Sequence, residues 1–124
     1  MTAFGPYPAR VAQVIDGDTI ALDIDLGFDH LISGRDWNGS PRLSCRVDGI
    51  NSPELKTPAG KAARDYASTM LPEGALCTVV SHGWDKYGGR FLGEITFPDG
   101  TSFGQLMIDT GHAKPYTGHG PKPV

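Results

Sequence analysis

Apolar and polar positions alternate most cleanly from Thr19 to Leu26. Ile20, Leu22, Ile24 and Leu26 fall on one face, and Thr19, Ala21, Asp23 and Asp25 on the other. Period two marks a half-buried strand. Arg42 to Val47 repeats the pattern, with Leu43, Cys45 and Val47 opposite Arg42, Ser44 and Arg46. Val11 to Ile15 is a short apolar run closed by the tight-turn pair Asp16-Gly17. Gly27 to Ser40 has little periodicity and reads as an extended loop. The period then lengthens: Ala59, Ala62, Ala63, Tyr66, Ala67 and Met70 form one stripe of a helix, started by Thr57-Pro58 and ended by Pro72 and Gly74. Ala75 to His82 and Phe91 to Phe97 read as further strands. Ser102 and Gln105 predict a capping box for a short helix reaching about Thr110.

The order β-β-β-α-β-β-α predicts a mainly β chain with helices (α+β). It is the plan of an OB-fold: a five-stranded barrel with a helix between strands 3 and 4 and a short C-terminal helix. An SH3-like barrel with a helical insertion fits the spacing nearly as well. The chain of 124 residues has the size of one domain. Its core is expected over about residues 11–116, after an irregular lead-in at 1–10 rich in Gly and Pro and before a tail, 117–124, expected to be disordered.

Composition narrows the classes. Glycine (17) and proline (10) are spread along the chain as turn punctuation, not gathered in a low-complexity tract. The net charge of −3 argues against a partner held mainly by electrostatics. The deficit is local: Asp16, Asp18, Asp23, Asp25 and Asp29 lie in a stretch, Val11 to Gly34, without Lys or Arg. No apolar run approaches a membrane span, so no membrane association is expected. No signal-peptide pattern opens the chain, which predicts a cytoplasmic location, in a host cytoplasm if virus-encoded. Cys45 and Cys77 sit in strand-like runs and are expected to be reduced and partly buried. No zinc-ligand spacing occurs.

Three clusters place charged residues at turns and strand ends: Asp16-Gly17-Asp18-Thr19, Arg46 to Glu54, and Asp85 to Leu92. Each alone fits a turn or hairpin. Together they supply what phosphodiester cleavage needs. A hard cation takes oxygen ligands, a water nucleophile needs a carboxylate base, and charge on phosphorus calls for guanidinium groups.

The segments VIDGDTI (14–20), RVDGINSPE (46–54), DKYGGRFLG (85–93) and, more weakly, GHAKPY (111–116) occur in the order found in staphylococcal (thermonuclease-like) nucleases. The chain resembles that family over roughly Val11 to Tyr116, and is most similar to short forms from bacteria and their viruses. The resemblance implies a calcium-dependent nuclease acting with little sequence preference on DNA or RNA, single-stranded or frayed. Asp18 would ligate Ca2+, with Asn51 standing where the family usually has a second aspartate and Ser52 offering its carbonyl. Glu54 would act as base on the attacking water or position it, and Arg46 and Arg90 would clamp the phosphate. Lys86 and Tyr87 would contact the flanking phosphate and base, with Tyr116 as an aromatic wall. The products would carry a 5′-hydroxyl and a 3′-phosphate, and a monomer is expected.

Three features depart from the family pattern: the neutral Asn51, one extra glycine before Arg90, and the lack of a long C-terminal helix. The rival reading is a catalytically inactive OB module that binds nucleic acid or protein. Asn51 favours it; the joint presence of Asp18, Arg46, Glu54 and Arg90 favours the enzyme. Trp37 and Trp84 are expected to be partly buried against the barrel. His30, His82, His112 and His119 lack ligand spacing and read as surface or strand-end residues.

Overall fold

The structure is a computed structural model and describes residues 3–85 and 90–116. Lys86, Tyr87, the extra glycine and the 117–124 tail lie outside them. The elements are β1 (Phe4–Asp16), β2 (Thr19–Asp25), β3 (Leu31–Ile32), β4 (Ser44–Val47), β5 (Ile50–Asn51), α1 (Pro58–Met70), β6 (Leu76–Trp84), β7 (Arg90–Thr96), α2 (Phe103–Asp109) and β8 (Lys114–Pro115).

Five strands close a barrel in the order β1-β6-β7-β4-β2, with β2 returning to β1. Closure removes the exposed edges that an open sheet of this length would present. Every neighbouring pair is antiparallel except β4–β7, where Ser44 pairs with Arg90 and Val47 with Gly93. The barrel and the helix between its third and fourth strands are the OB-fold plan. The predicted alternation of β2 shows only in its second half: Ile20 and Leu22 are fully buried, beside Val47, Val79, Ile95 and Phe103, but Thr19 and Ala21 on the other face are buried as well. Cys45 and Cys77 are free and buried, and burial pushes both thiols up, Cys77 to about 11. Both behave as small apolar fillers.

The first ten residues differ from expectation. Phe4 to Arg10 is not an irregular lead-in but the first half of β1, with Tyr7 opposite Val79 and Ala9 opposite Cys77. A register shift between Phe4 and Tyr7 takes up Pro6, so the prolines do not stop the strand. Arg42 and Leu43 precede β4 and donate their N–H groups to Gly34 O. The segment 26–43, which carries the short β3 between β2 and β4, is pinned by Arg35, which reaches Ala12 O at 2.7 Å, Gln13 Oε1 at 2.9 Å and Glu73 at 3.0 Å.

Thr57 Oγ1 accepts from Gly60 N as the N-cap of α1. Ser102 caps α2 likewise, but the Gln105 amide turns to Asp109 and leaves the capping box half made. Trp37 and Trp84 are not partly buried as expected; they are 93% and 66% exposed. Trp37 rides a turn in which the Asp36 carboxylate takes the N–H groups of Asn38 and Ser40, holding the ring away from the barrel. Trp84 stands at the end of β6, on the rim of an apolar hollow of about 330 Å³ lined also by Phe4, Tyr7, Leu26 and Phe91. Among the described residues no helix is long and apolar enough to cross a membrane.

Candidate active site

The β1–β2 turn, the segment between β5 and α1, and the first turns of α1 meet beside one another. Gly17 permits the approach: a Cβ there would meet Ser52 Cβ at 2.9 Å and Ala63 Cβ at 3.0 Å. Gly60 does the same for α1, because a Cβ would collide with the carbonyl of Glu54. Together these turns form one wall of a cleft of about 670 Å³, completed by Arg90 and by residues 111–114 after α2.

Asp18 is 7% exposed. Its Oδ2 accepts from Ser52 N at 3.0 Å, its Oδ1 accepts from Thr19 Oγ1 at 3.2 Å, and its carbonyl accepts from Val47 N at 2.8 Å. Arg46 reaches it from the neighbouring strand, Nη2 to Oδ2 at 3.5 Å. The other guanidinium nitrogen, Nη1, donates to Val47 O and Ile50 O, each at 2.8 Å, so the arginine also wraps the β4–β5 turn. Asn51 Oδ1 accepts from Arg46 Nη2 at 3.4 Å. Across that turn Asp48 lies 3.0 Å from His82 Nδ1, tying it to β6.

Asp16 Oδ1 accepts from Asp18 N at 3.0 Å. Burial raises the Asp16 carboxyl to about 6, helped by a side-chain hydrogen bond to Asp18 and by its charge. Burial works the same way on Asp18. There the Asp16 hydrogen bond, Arg46, the Ser52 N–H and the Thr19 hydroxyl overcome it and hold the carboxyl below its ordinary value. The two neighbouring carboxyls are thus pushed apart, Asp16 toward its protonated and Asp18 toward its ionised form.

The structure brings Asp18, Arg46, Asn51, Ser52, Glu54 and Arg90 to this one cleft. Glu54 is solvent-facing, its side chain 73% exposed and 3.4 Å from Lys56 Nζ. Arg90 is oriented by Asp85, whose Oδ2 accepts from Nε and pairs with Nη2, both at 2.9 Å. Tyr116 is not in the cleft lining; its backbone N–H bonds Gly49 O at 2.9 Å. Asp16, Asp85 and His112 were not singled out as site residues by the sequence. The first lies two residues before Asp18, the second opens DKYGGR, and the third lies within GHAKPY.

The family profile for staphylococcal nuclease homologues matches residues 44–123. The chain belongs to the staphylococcal nuclease family. It is 30% identical over 115 residues to an uncharacterized endonuclease of Escherichia coli O157:H7, covering 93% of this chain and 65% of that protein. It is 31% identical over 118 residues to endonuclease YhcR of Bacillus subtilis, covering 93% of this chain and 9% of the relative. A match to the staphylococcal-like nuclease CAN1 of Arabidopsis thaliana is 35% identical over 78 residues, 63% of this chain and 23% of the relative. The chain thus spans less than two thirds of the length of these relatives.

Among the described residues no group of three or more His, Cys, Asp or Glu side chains is arranged for a metal ion. The carboxylate and amide oxygen donors lining the cleft are those of Asp16, Asp18, Glu54 and Asn51. That donor set fits a hard cation and not zinc or copper.

Proposed function

We propose that this member of the staphylococcal nuclease family is a metal-dependent nuclease. It hydrolyses phosphodiester bonds of DNA or RNA, single-stranded or frayed, with little sequence preference. The observation carrying this reading is the buried Asp18–Arg46 pair at the floor of a cleft that Glu54 and Arg90 also line. Endonuclease names among the relatives support the reaction class.

Asp18, Asn51 and the Ser52 carbonyl would hold the ion, with Asp16 beside them, and Ca2+ is the cation suited to these oxygens. Bound there, the cation supplies positive charge that polarises the phosphoryl oxygens. Glu54 takes the proton of the attacking water, which its exposure to the open cleft allows. Arg90, oriented beforehand by Asp85, holds the non-bridging oxygens as charge builds on them, and Arg46, whose Nη groups face Asp18, Asn51 and the Val47 and Ile50 carbonyls, would add its Nε N–H. Water oxygen joins phosphorus as the bond to the 5′ oxygen breaks, leaving a 3′-phosphate. That oxygen takes a proton from solvent water in the open cleft and leaves as a 5′-hydroxyl. Lys86, Tyr87 and Tyr116 would meet the flanking nucleotide.

The net charge of −3 suits a transient substrate, because tight product binding slows turnover. Asn51 favours the second reading, an inactive nucleic-acid- or protein-binding module, since an amide contributes less charge to a cation than a carboxylate. Incubation with single-stranded and plasmid DNA, with calcium and then with chelator, separates the two. Chelator-sensitive digestion supports the nuclease; binding without cleavage supports the module.

A further inference from the structure

The wall formed by the segment after α2 has no part in the chemistry above. His112 and Lys114 line the cleft there, while Ala113 between them turns into the core at 6% exposure. The His112 ring lies flat on Tyr66 of α1, with centroids 4.3 Å apart and planes within 7°. Its Nδ1 is 2.9 Å from Thr110 Oγ1. The one hydroxyl proton of Thr110 goes to Leu106 O at 2.8 Å, so toward His112 that oxygen accepts. Nδ1 therefore carries hydrogen, and Nε2 is the nitrogen left to take a second proton.

A ring fixed on one face and one edge is a prepared donor. The N-terminus of α1 adds to the field: Thr57 and Ala59 line the same cleft, and the first turn holds no acidic residue. Ala59 and Tyr66 lie two turns apart on one helix face, about 10 Å along its axis. Other charges on the cleft are Asp16, Asp18 and Glu54 against Arg46 and Arg90. Arg64 and Asp65 flank Tyr66 and pair with each other at 3.3 Å, and Asp109 on α2 is taken by Gln105 at 2.8 Å.

We propose that His112, protonated at Nε2 and seated on Tyr66, binds a backbone phosphate adjacent to the one cleaved, with Lys114 beside it. This second subsite rests on the nuclease reading. It makes a strand with neighbouring phosphates a better substrate than an isolated diester.

The test compares a single-stranded oligonucleotide with bis(p-nitrophenyl) phosphate, which has one phosphate. His112→Gln should raise the oligonucleotide KM about tenfold at pH 6, as expected for loss of one charge-assisted hydrogen bond. The ratio to the unmodified protein should shrink toward pH 8.5 and be smaller for the diester throughout. His112→Arg should restore a low KM that no longer varies with pH. An equal KM change on both substrates, or a pH profile untouched by His112→Gln, overturns the subsite. If neither substrate is hydrolysed, anisotropy of a labelled oligonucleotide separates the two claims. A pH-dependent affinity lost in His112→Gln keeps the subsite and removes the nuclease; an affinity unchanged by the variant removes both.

Discussion

Arg46 Nη2 lies 3.5 Å from Asp18 Oδ2, with only 12% and 10% of the two side chains exposed. Removing one member of such a pair strands the other charge away from water. Asp18→Ala should lower unfolding free energy by about 3 kcal/mol in a urea melt. Adding Arg46→Met should return part of that loss. Strict additivity in the double mutant would mean the Val47 and Ile50 carbonyls alone hold the guanidinium.

Glu54 presents the opposite case. Its side chain is 73% exposed and touches only Lys56 among the ion pairs of the described residues, so its removal leaves the core intact. Glu54→Gln should reduce cleavage of denatured DNA by about 10²–10⁴-fold, the usual worth of a positioned base. The melting temperature should stay within a few degrees. A variant cleaving at the unmodified rate would remove Glu54 from the chemistry.

The barrel was legible because its strands carry apolar residues at every second position, Ile20 and Leu22 on β2 and Cys45 and Val47 on β4; that Thr19, Ala21 and Ser44 opposite them are buried too was not. The helix start at Thr57-Pro58 was legible for the same local reason, a side-chain oxygen beside a proline. Phe4 to Arg10 was not, since Gly5, Pro6 and Pro8 mimic a loop and only pairing with β6 makes them a strand. Trp37 and Trp84 were misjudged because bulk favours burial while the turn at Asp36 and the end of β6 decide direction. At the site, Arg46 was visible from its motif, but its grip on the β4–β5 turn was not. Nor could spacing show that Asp16 accepts from Asp18 N–H beside a second carboxylate, or that Thr110 fixes the His112 tautomer, because each depends on distances across turns.

Asp85 has a side chain 8% exposed and meets Arg90 through Nε and Nη2. It is a positioning residue. Asp85→Asn keeps the shape but weakens both contacts, and should lower kcat about ten- to a hundredfold with a smaller change in KM. Asp85→Glu should recover part of the rate. An unchanged kcat would show that Arg90 finds the phosphate unaided.

Asn51 Oδ1 already faces Arg46 Nη2 at 3.4 Å. A carboxylate there would pair with the guanidinium and add a charge to the cation's ligands. Asn51→Asp should lower the calcium concentration for half-maximal activity, on the order of tenfold, because affinity follows ligand charge. A superimposable calcium titration would place Asn51 outside the coordination sphere.

The Asp16–Asp18 pair predicts how pH and cation act together. With its carboxyl raised to about 6 from 3.8, Asp16 keeps a proton in the folded chain that the unfolded chain has released between those values. Stability from this group is present below the lower value and is lost as pH rises through about 6. Asp18, held low, contributes oppositely: its stabilisation is present above the ordinary carboxylate range and disappears on acidification through its folded value. A cation bound to the pair would displace the proton that Asp16 keeps, which is easier where that proton is already leaving. Calcium should therefore raise the melting temperature little at pH 5 and several degrees at pH 7.5, read by scanning calorimetry with and without the ion. Asp16→Asn removes the titrating group, so the difference between the two pH values should collapse. The same calcium shift at both pH values in the unmodified protein would show that the ion leaves the Asp16 proton in place.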